Sequence, residues 1–519
     1  MSASRPEIAA ASVTGAVALG VVGNALRDAW AAPWPPGRVP TFDVADYVLR
    51  AHAWSSAWRA GNVGSLWELA LQPDAHPALH PALLGAVLTL FPSPATESAY
   101  SFVLHVLALA TLPVLGWALD RRGGALAGLL AAAITSTCLI ERSMAVAPMT
   151  EPLAQWLVLL TLTAAATARR SPRSGWWWLA GVLCLGASAT RYHLGPLLVV
   201  PCLAHLVAGR RAWRQTSFDA VGLLAPLLFA ASATWLAAPE YLQGVRRFLV
   251  NADSGIPTLS LENLRWLTGL PERQLFGSSA VSTVALVIAL SSAAAWTFVR
   301  TPALLLGVFV VLGLGAMFVH PLKVDRNVFV LIGPAALLLV LPLVRLAVGP
   351  ARAFALATVA AASLAGQAYL SRGLATEQYY SSSASVGRAL DAAADACARA
   401  SRIVIVGAQR DLTEQVIQYA LRTRRCEAEV VVQADYTPTC LTPIGPSLPA
   451  CQMQEVRAAL AVADTPILYV DATTGPGAKH RRWMVAQRAD FTALATAAGF
   501  HPDIVELPDK GLRLSVWLK

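Results

Sequence analysis

Ser98-Ala-Tyr-Ser-Phe-Val-Leu-His-Val-Leu-Ala-Leu-Ala-Thr-Leu-Pro-Val-Leu-Gly-Trp-Ala-Leu119-Asp120-Arg121-Arg122 decides the fold class. Residues 98–119 contain no Asp, Glu, Lys or Arg. A helix of that length rises about 33 Å at about 1.5 Å per residue, enough to cross a hydrocarbon core of about 30 Å. Two arginines follow at once. Cations held in short loops on one side of a membrane mark its cytoplasmic face.

Working outward, charge-poor runs at 8–26, 98–119, 123–140, 152–168, 175–190, 192–209, 220–239, 278–299, 301–319, 327–344 and 353–371 predict eleven spanning helices. Composition agrees: the 519 residues are 56% hydrophobic and 14% charged with mean hydropathy +0.53, whereas soluble chains carry about 25% charged residues. The sequence reads as a polytopic α-helical membrane protein. Its formal charge of +9 does not point to nucleic acid, because eight arginines crowd three short connections: Arg121 and Arg122; Arg169, Arg170 and Arg173; Arg210, Arg211 and Arg214. A cytoplasmic N-terminus places all three inside, and places 27–97, 141–151, 240–277, 320–326 and everything after 371 outside. The first run lacks a clear small-residue cleavage site and reads as an uncleaved anchor. Residues 78–91, apolar but short, read as a re-entrant or interfacial helix, since a crossing there would turn the arginine loops outward. The expected location is an inner or plasma membrane of bacterial type.

Beyond residue 371 the pattern changes. Residues 401–407 and 465–471 are buried-strand patterns, separated by helical-looking segments such as 412–424 and 454–463. Residues 372–519 therefore predict an extracytoplasmic α/β domain with a mostly parallel sheet, following a membrane domain of residues 1–371. Gly407 leads into Ala408, Gln409 and Arg410, so no glycine-rich phosphate loop is present and nucleotide binding is disfavoured. Cys138, Cys184 and Cys202 fall in spans as small apolar residues. Cys397, Cys426, Cys440 and Cys451 fall in the terminal domain, where an even count predicts disulfides. Three pairings are open; the proline-rich stretch 437–449 reads as a loop stapled by Cys440 and Cys451, leaving Cys397 with Cys426. No C-x-x-C pair exists, so zinc and thiol redox chemistry are poor readings.

The remaining carboxylates and cations gather in the outer loops, which is where chemistry is expected. On a surface helix over 43–59, Asp43 and Asp46 share a face with Tyr47 beside them, placed for general-base work or metal ligation, or else for capping and solvating the first turn. Asp74, His76 and His80 offer metal ligands, although Pro77 and Pro81 argue against a regular helix aligning the imidazoles. Glu141 and Arg142 read as a neighbouring ion pair, and Glu151, followed by Pro152, as a helix N-terminus. Arg191 separates two runs that would otherwise merge. Lys323 and Arg326 stand in a short outer loop, where a cation is explained by a phosphate partner or by snorkelling. These residues fix no cofactor and leave a divalent metal open.

Taken in order, the pieces resemble the membrane-embedded C-type glycosyltransferases that use a polyprenyl-phosphate sugar donor, the superfamily of the protein O-mannosyltransferases and lipid A aminoarabinose transferases. They are D-x-x-x-Y (Asp43, Tyr47), Gly61, H-P-x-L-H-P (76–81), R-x-x-x-x-x-P-x-x-E (Arg142, Pro148, Glu151), L-A-G…T-R-Y (179–192) and H-P-x-K-x-x-R (320–326). The resemblance covers roughly residues 8–345. It departs at Val44, where the family has a second acidic residue, and at Ala78, where it has a second proline.

The resemblance implies an inverting hexosyl- or pentosyltransferase at the outer face of the membrane, with a lipid, glycan or protein acceptor. It assigns the catalytic base to Asp43 with Asp46 as the fallback, and gives Lys323, Arg326 and Arg191 the charge growing on the leaving lipid phosphate. Tyr47, His76, His80, Arg142 and Glu151 belong to the substrate side. The partners are the lipid-linked donor, the acceptor and membrane lipids, with no nucleic acid. The alternative is a multi-span transporter or lipid flippase with Asp43 as a proton-coupling site. Such proteins show internal repeats and mid-span ionisable residues, whereas this chain has no evident repeat and crowds its carboxylates into outer loops.

Overall fold

The computed structural model describes residues 5–31, 39–40, 42–71, 77–171, 175–209, 213–239, 261–269, 301–319, 328–346, 380–381, 384–406, 412, 414–424, 426, 428–433, 466–472, 492–493, 495–507 and 512–518. It divides into two compact units, one of Met1–Pro33 and Ala51–Thr376, the other of Trp34–Arg50 and Glu377–Lys519.

Helices come in the order α1 (Arg5–Ala31), α2 (Phe42–Arg59), α3 (Val63–Leu71), α4 (Leu79–Leu90), α5 (Pro94–Leu119), α6 (Gly124–Ser136), α7 (Leu139–Met144), α8 (Thr150–Arg170), α9 (Gly175–Ser188), α10 (Leu194–Val207), α11 (Trp213–Ala237), α12 (Leu261–Thr268), α13 (Thr301–Val319) and α14 (Phe329–Leu346). The apolar runs within the described residues carry helices, with 123–140 divided at Thr137 and Cys138 between α6 and α7, while 278–299 and 353–371 lie outside them. By length and composition, α5 and α11 are the helices among the described residues that suffice to cross a membrane. Segment 78–91 yields α4, a helix of 12 residues. At about 18 Å it falls well short of a hydrocarbon core.

The first unit is held by close packing between small residues. A Cβ on Gly116 would stand 2.0 Å from the Gly124 carbonyl oxygen, so α5 and α6 meet backbone to backbone, as the small-xxx-small spacing of Gly124 and Gly128 permits. Around this contact Leu112, Leu115, Leu130, Val158, Leu162, Trp177, Phe309 and Leu337 form a continuous buried core. Arginines of the loops read as cytoplasmic satisfy helix C-termini: Arg170 donates to the carbonyls of Trp117 and Leu119, and Arg169 to that of Ala208 at 3.1 Å. By contrast α11 turns Leu228, Phe229, Trp235 and Leu236 outward at 62%, 77%, 63% and 83% exposure, a face suited to hydrocarbon and not to water.

In the second unit β1 (Val39–Pro40) pairs antiparallel with β2 (Tyr380–Ser381), so the chain entering α2 is laddered to the residues that open the terminal α/β region. There α15 (Ala384–Cys397), β3 (Arg402–Val406), α16 (Glu414–Thr423), β4 (Glu429–Gln433), β5 (Ile467–Ala472), β6 (His501–Leu507) and β7 (Leu512–Leu518) form a five-stranded sheet of order β4-β3-β5-β7-β6. The sheet is mixed, which corrects the expectation of a mostly parallel one. β4, β3 and β5 run parallel, but β7 is antiparallel to β5 and to β6. The connection over 508–511 is too short for the crossover that parallel strands need, about a dozen residues, and so enforces a hairpin. Cys397 and Cys426 are disulfide-bonded, as expected, fastening the end of α15 to the chain three residues past α16. Cys440, Cys451 and the segment 454–463 lie outside the described residues.

Candidate functional site

The acidic segment forms α2, which begins at Phe42. Asp43 therefore sits in its first turn, at the positive end of the helix dipole. The side chain of Asp43 lies outside the described residues. Asp46 does not stand solvated: it pairs with Arg50 one turn on at 3.0 Å, and its side chain is 20% exposed. Tyr47 is buried. The helix stops where Gly61 takes φ +61°, the left-handed value that glycine adopts without cost, with its N–H on the Trp58 carbonyl at 3.1 Å. Beyond it, α4 presses on the second half of α2, since a Cβ on Gly85 would lie 2.5 Å from the Trp54 Cβ and 2.6 Å from the Ala51 carbonyl oxygen. Arg59 donates to the Leu88 carbonyl at 2.8 Å across the same contact.

The H-P-x-L-H-P box supplies the start of α4. His76 and Asp74 lie outside the described residues. Pro81 falls in the first turn, where an N–H has no intrahelical partner to lose. One orphan donor of that turn, the Leu79 N–H, is taken by the Ala189 carbonyl at 3.2 Å. His80 is fully buried, its Nε2 lies 3.2 Å from the Pro148 carbonyl oxygen, and its ring stacks at a tilt on Tyr100 with centroids 5.6 Å apart. A carbonyl only accepts, so this contact makes His80 Nε2 the protonated nitrogen.

The R-x-x-x-x-x-P-x-x-E stretch runs from α7 into α8. The expected Glu141–Arg142 ion pair is absent, because consecutive helical residues diverge by about 100°. Glu141 turns inward and is fully buried: Gln155 Nε2 donates to its Oε1 at 2.5 Å, and its Oε2 lies 3.4 Å from His105 Nδ1. Burial raises the Glu141 carboxyl well above its ordinary range, against the smaller lowering effect of the Gln155 hydrogen bond. Arg142 is half-buried, its Nε has no hydrogen-bond partner, and among the described residues it forms no ion pair. Glu151, in the first turn of α8, is fully buried and receives Arg191 on Oε1, while Arg191 Nε donates to the Thr150 hydroxyl at 3.2 Å. Arg191 itself lies in the tight turn between α9 and α10, with its N–H on the Ala187 carbonyl at 3.0 Å.

Three stretches far apart in sequence are thus hydrogen-bonded into one cluster: 77–81 to 189 and 148, and 150–151 to 191. Of the residues singled out by sequence, His80, Glu151 and Arg191 are tied together through it, and Arg142 stands six residues before Pro148 on the same stretch. Lys323 and Arg326 lie outside the described residues. Gln155 and His105 were missed by sequence reading, although polar side chains inside apolar runs are the signal that could have found them. Among the described residues no group of three or more His, Cys, Asp and Glu could hold a metal ion.

No family model matches the sequence, and no curated protein matches it by sequence. Solved structures do match. ArnT from Cupriavidus metallidurans superposes in its apo state with TM-score 0.60 and 14% identity over 98% of this chain and 97% of ArnT. ArnT bound to undecaprenyl phosphate gives TM-score 0.61 at 14% identity, again over 98% of this chain and 97% of ArnT. The chain shares its fold with ArnT. The archaeal oligosaccharyltransferase AglB from Archaeoglobus fulgidus, in complex with an inhibitory peptide and a dolichol-phosphate, extends the likeness, with TM-score 0.56 and 11% identity over 95% of this chain and 74% of AglB. The likeness to ArnT covers the terminal α/β region as well as the helices.

Proposed function

We propose that this protein is an integral-membrane, inverting glycosyltransferase that moves a sugar from a polyprenyl-phosphate donor to an acceptor at the outer face of the membrane. The observation that carries the reading is the clustering of the motif stretches 77–81, 142–151 and 189–191 in a fold shared with an enzyme solved with undecaprenyl phosphate bound. Residues 1–371 are the membrane domain with eleven spans, and 372–519 an extracytoplasmic domain; the N-terminus is cytoplasmic.

In the reaction, Asp43, or Asp46 in its place, takes a proton from the acceptor hydroxyl or amine. The freed lone pair attacks the sugar C1 on the face opposite the lipid phosphate. The bond from C1 to the phosphate oxygen breaks, and cationic side chains stabilise the charge that collects on the departing phosphate. Arg142, Lys323 and Arg326 serve this role. Arg191, whose charge Glu151 already balances, holds the substrate side in shape together with His80; Tyr47 and His76 complete that side.

The test is transfer of a radiolabelled sugar from a polyprenyl-phosphate-linked donor by the purified full-length protein. Asp43→Asn is nearly isosteric but accepts no proton, so transfer falls by about 10²–10⁴, whereas a lost first-turn carboxylate costs only about 1 kcal/mol of stability. Loss in Asp46→Asn with retention in Asp43→Asn moves the base to Asp46. Near-full transfer by both variants refutes the assignment.

A further inference from the structure

Glu141, Gln155 and His105 form a deeply buried polar cluster in the first unit, and the reaction above uses none of them. Glu141 and Gln155 are 0% and 1% exposed, and His105 2%. Each comes from a different helix: His105 from α5, Glu141 from α7, Gln155 from α8. Gln155 Nε2 lies at the centre, donating to Glu141 Oε1 at 2.5 Å and to the Phe329 carbonyl at the head of α14 at 3.3 Å. One amide therefore fastens two helix starts to the body of α8. Its two donor hydrogens match the two acceptors.

The piece fastened in this way is the one that carries Arg142. α7 has six residues, too few to be a stable helix unaided. Its orientation depends on what its side chains meet, and the inward anchor is Glu141, one residue before Arg142. Because adjacent helical residues diverge by about 100°, fixing Glu141 inward also fixes the direction in which Arg142 leaves the helix. Arg142 has no counter-charge among the described residues, whereas the neighbouring cation Arg191 has Glu151.

We propose that Glu141, Gln155 and His105 are positioning residues that hold α7 so that the Arg142 guanidinium, which has no counter-charge among the described residues, is presented to a phosphate group. The inference rests on the lipid-phosphate reading given above and adds the residues that make it geometrically specific. Gln155 acts through Arg142 and touches no substrate.

The experiment is a double-mutant cycle read by binding of undecaprenyl phosphate to the full-length protein in nanodiscs, with thermal unfolding recorded in parallel. Wild type binds the lipid phosphate, and Arg142→Ala weakens binding about ten-fold or more. Gln155→Met, close in volume but without the amide, weakens it about five- to ten-fold. In the Arg142→Ala background the same change costs less than about two-fold, because the group it positions is gone. Where Gln155→Met does not accumulate as folded protein, Gln155→Asn, which keeps the amide but falls short of both acceptors, gives the same readout. Wild-type affinity in the folded Gln155 variants overturns the inference, as does a loss that is equal with and without Arg142. Failure of wild type to bind undecaprenyl phosphate, or binding indifferent to Arg142→Ala, overturns the lipid-phosphate reading itself.

Discussion

Breaking the Glu151–Arg191 pair tests whether it is a structural anchor. The Glu151 side chain is 1% exposed and that of Arg191 16%. Arg191→Met keeps the length of the stem and removes the charge, leaving Glu151 with the Thr150 hydroxyl at 3.2 Å and the positive end of α8. Removing one partner of a buried pair costs about 3–5 kcal/mol, and the dipole returns about 0.3–1 kcal/mol, so the variant should lose about 2–4 kcal/mol. Glu151→Gln should lose less, about 1–2 kcal/mol, because Arg191 keeps Thr150 and some access to solvent. The double variant, which buries no lone charge, should fall within about 1 kcal/mol of wild type. Thermal unfolding of the four proteins in one detergent, followed by tryptophan fluorescence, gives the order: wild type, double variant, Glu151→Gln, then Arg191→Met. A double variant whose loss equals the sum of the singles would refute the coupling. An Arg191→Met protein that melts like wild type yet no longer binds undecaprenyl phosphate would show that Arg191 meets phosphate and not Glu151.

Two further outcomes are expected. The Cys397–Cys426 bridge spans a sequence separation of 29, for which chain entropy gives about 3–4 kcal/mol; Cys397→Ser with Cys426→Ser should destabilise the terminal region by that amount in chemical denaturation, and an unchanged midpoint would contradict it. Burial raises the Glu141 carboxyl, so above about pH 4.3 the folded chain keeps a proton that the unfolded chain releases, and stability falls as pH rises. Glu141→Gln cannot titrate and should flatten that slope in melting curves taken from pH 5 upward; an identical slope in the variant would place the titration elsewhere.

What was legible in the sequence follows from which forces leave a mark on residue type. Apolar helices do, because a hydrocarbon core rejects charge over about 20 residues: the described runs carry helices, although 123–140 breaks at Thr137 and Cys138, and among the described residues α5 and α11 are long and apolar enough to cross. The strand His501–Leu507 left no such mark. It lies at the edge of the sheet, is largely exposed, and carries Pro502, so it shows neither an apolar run nor clean alternation. Missing it concealed the hairpin with β7 and made the sheet look more parallel than it is. Glu141 and Arg142 failed differently. Adjacent opposite charges invite pairing on paper, but helix geometry separates them, sending one into the core and leaving the other with no ion pair among the described residues.

The candidate site was legible in its side chains and not in its assembly. The joins that draw its stretches together end largely on backbone oxygens: Ala189 for the Leu79 N–H, Pro148 for His80, Phe329 for Gln155. A carbonyl is supplied by any residue type, so the acceptor half of each join is invisible to a motif. This also bears on how the fold persists against ArnT at 14% identity. Backbone acceptors tolerate substitution at their own positions, so selection need hold only the donors and the small residues that let helices approach. On that argument Gln155 and His80 matter more to the geometry of the site than Ala189 or Phe329. Substituting the donors should move Arg142 and the start of α4, whereas size-matched changes at the acceptors should leave both in place.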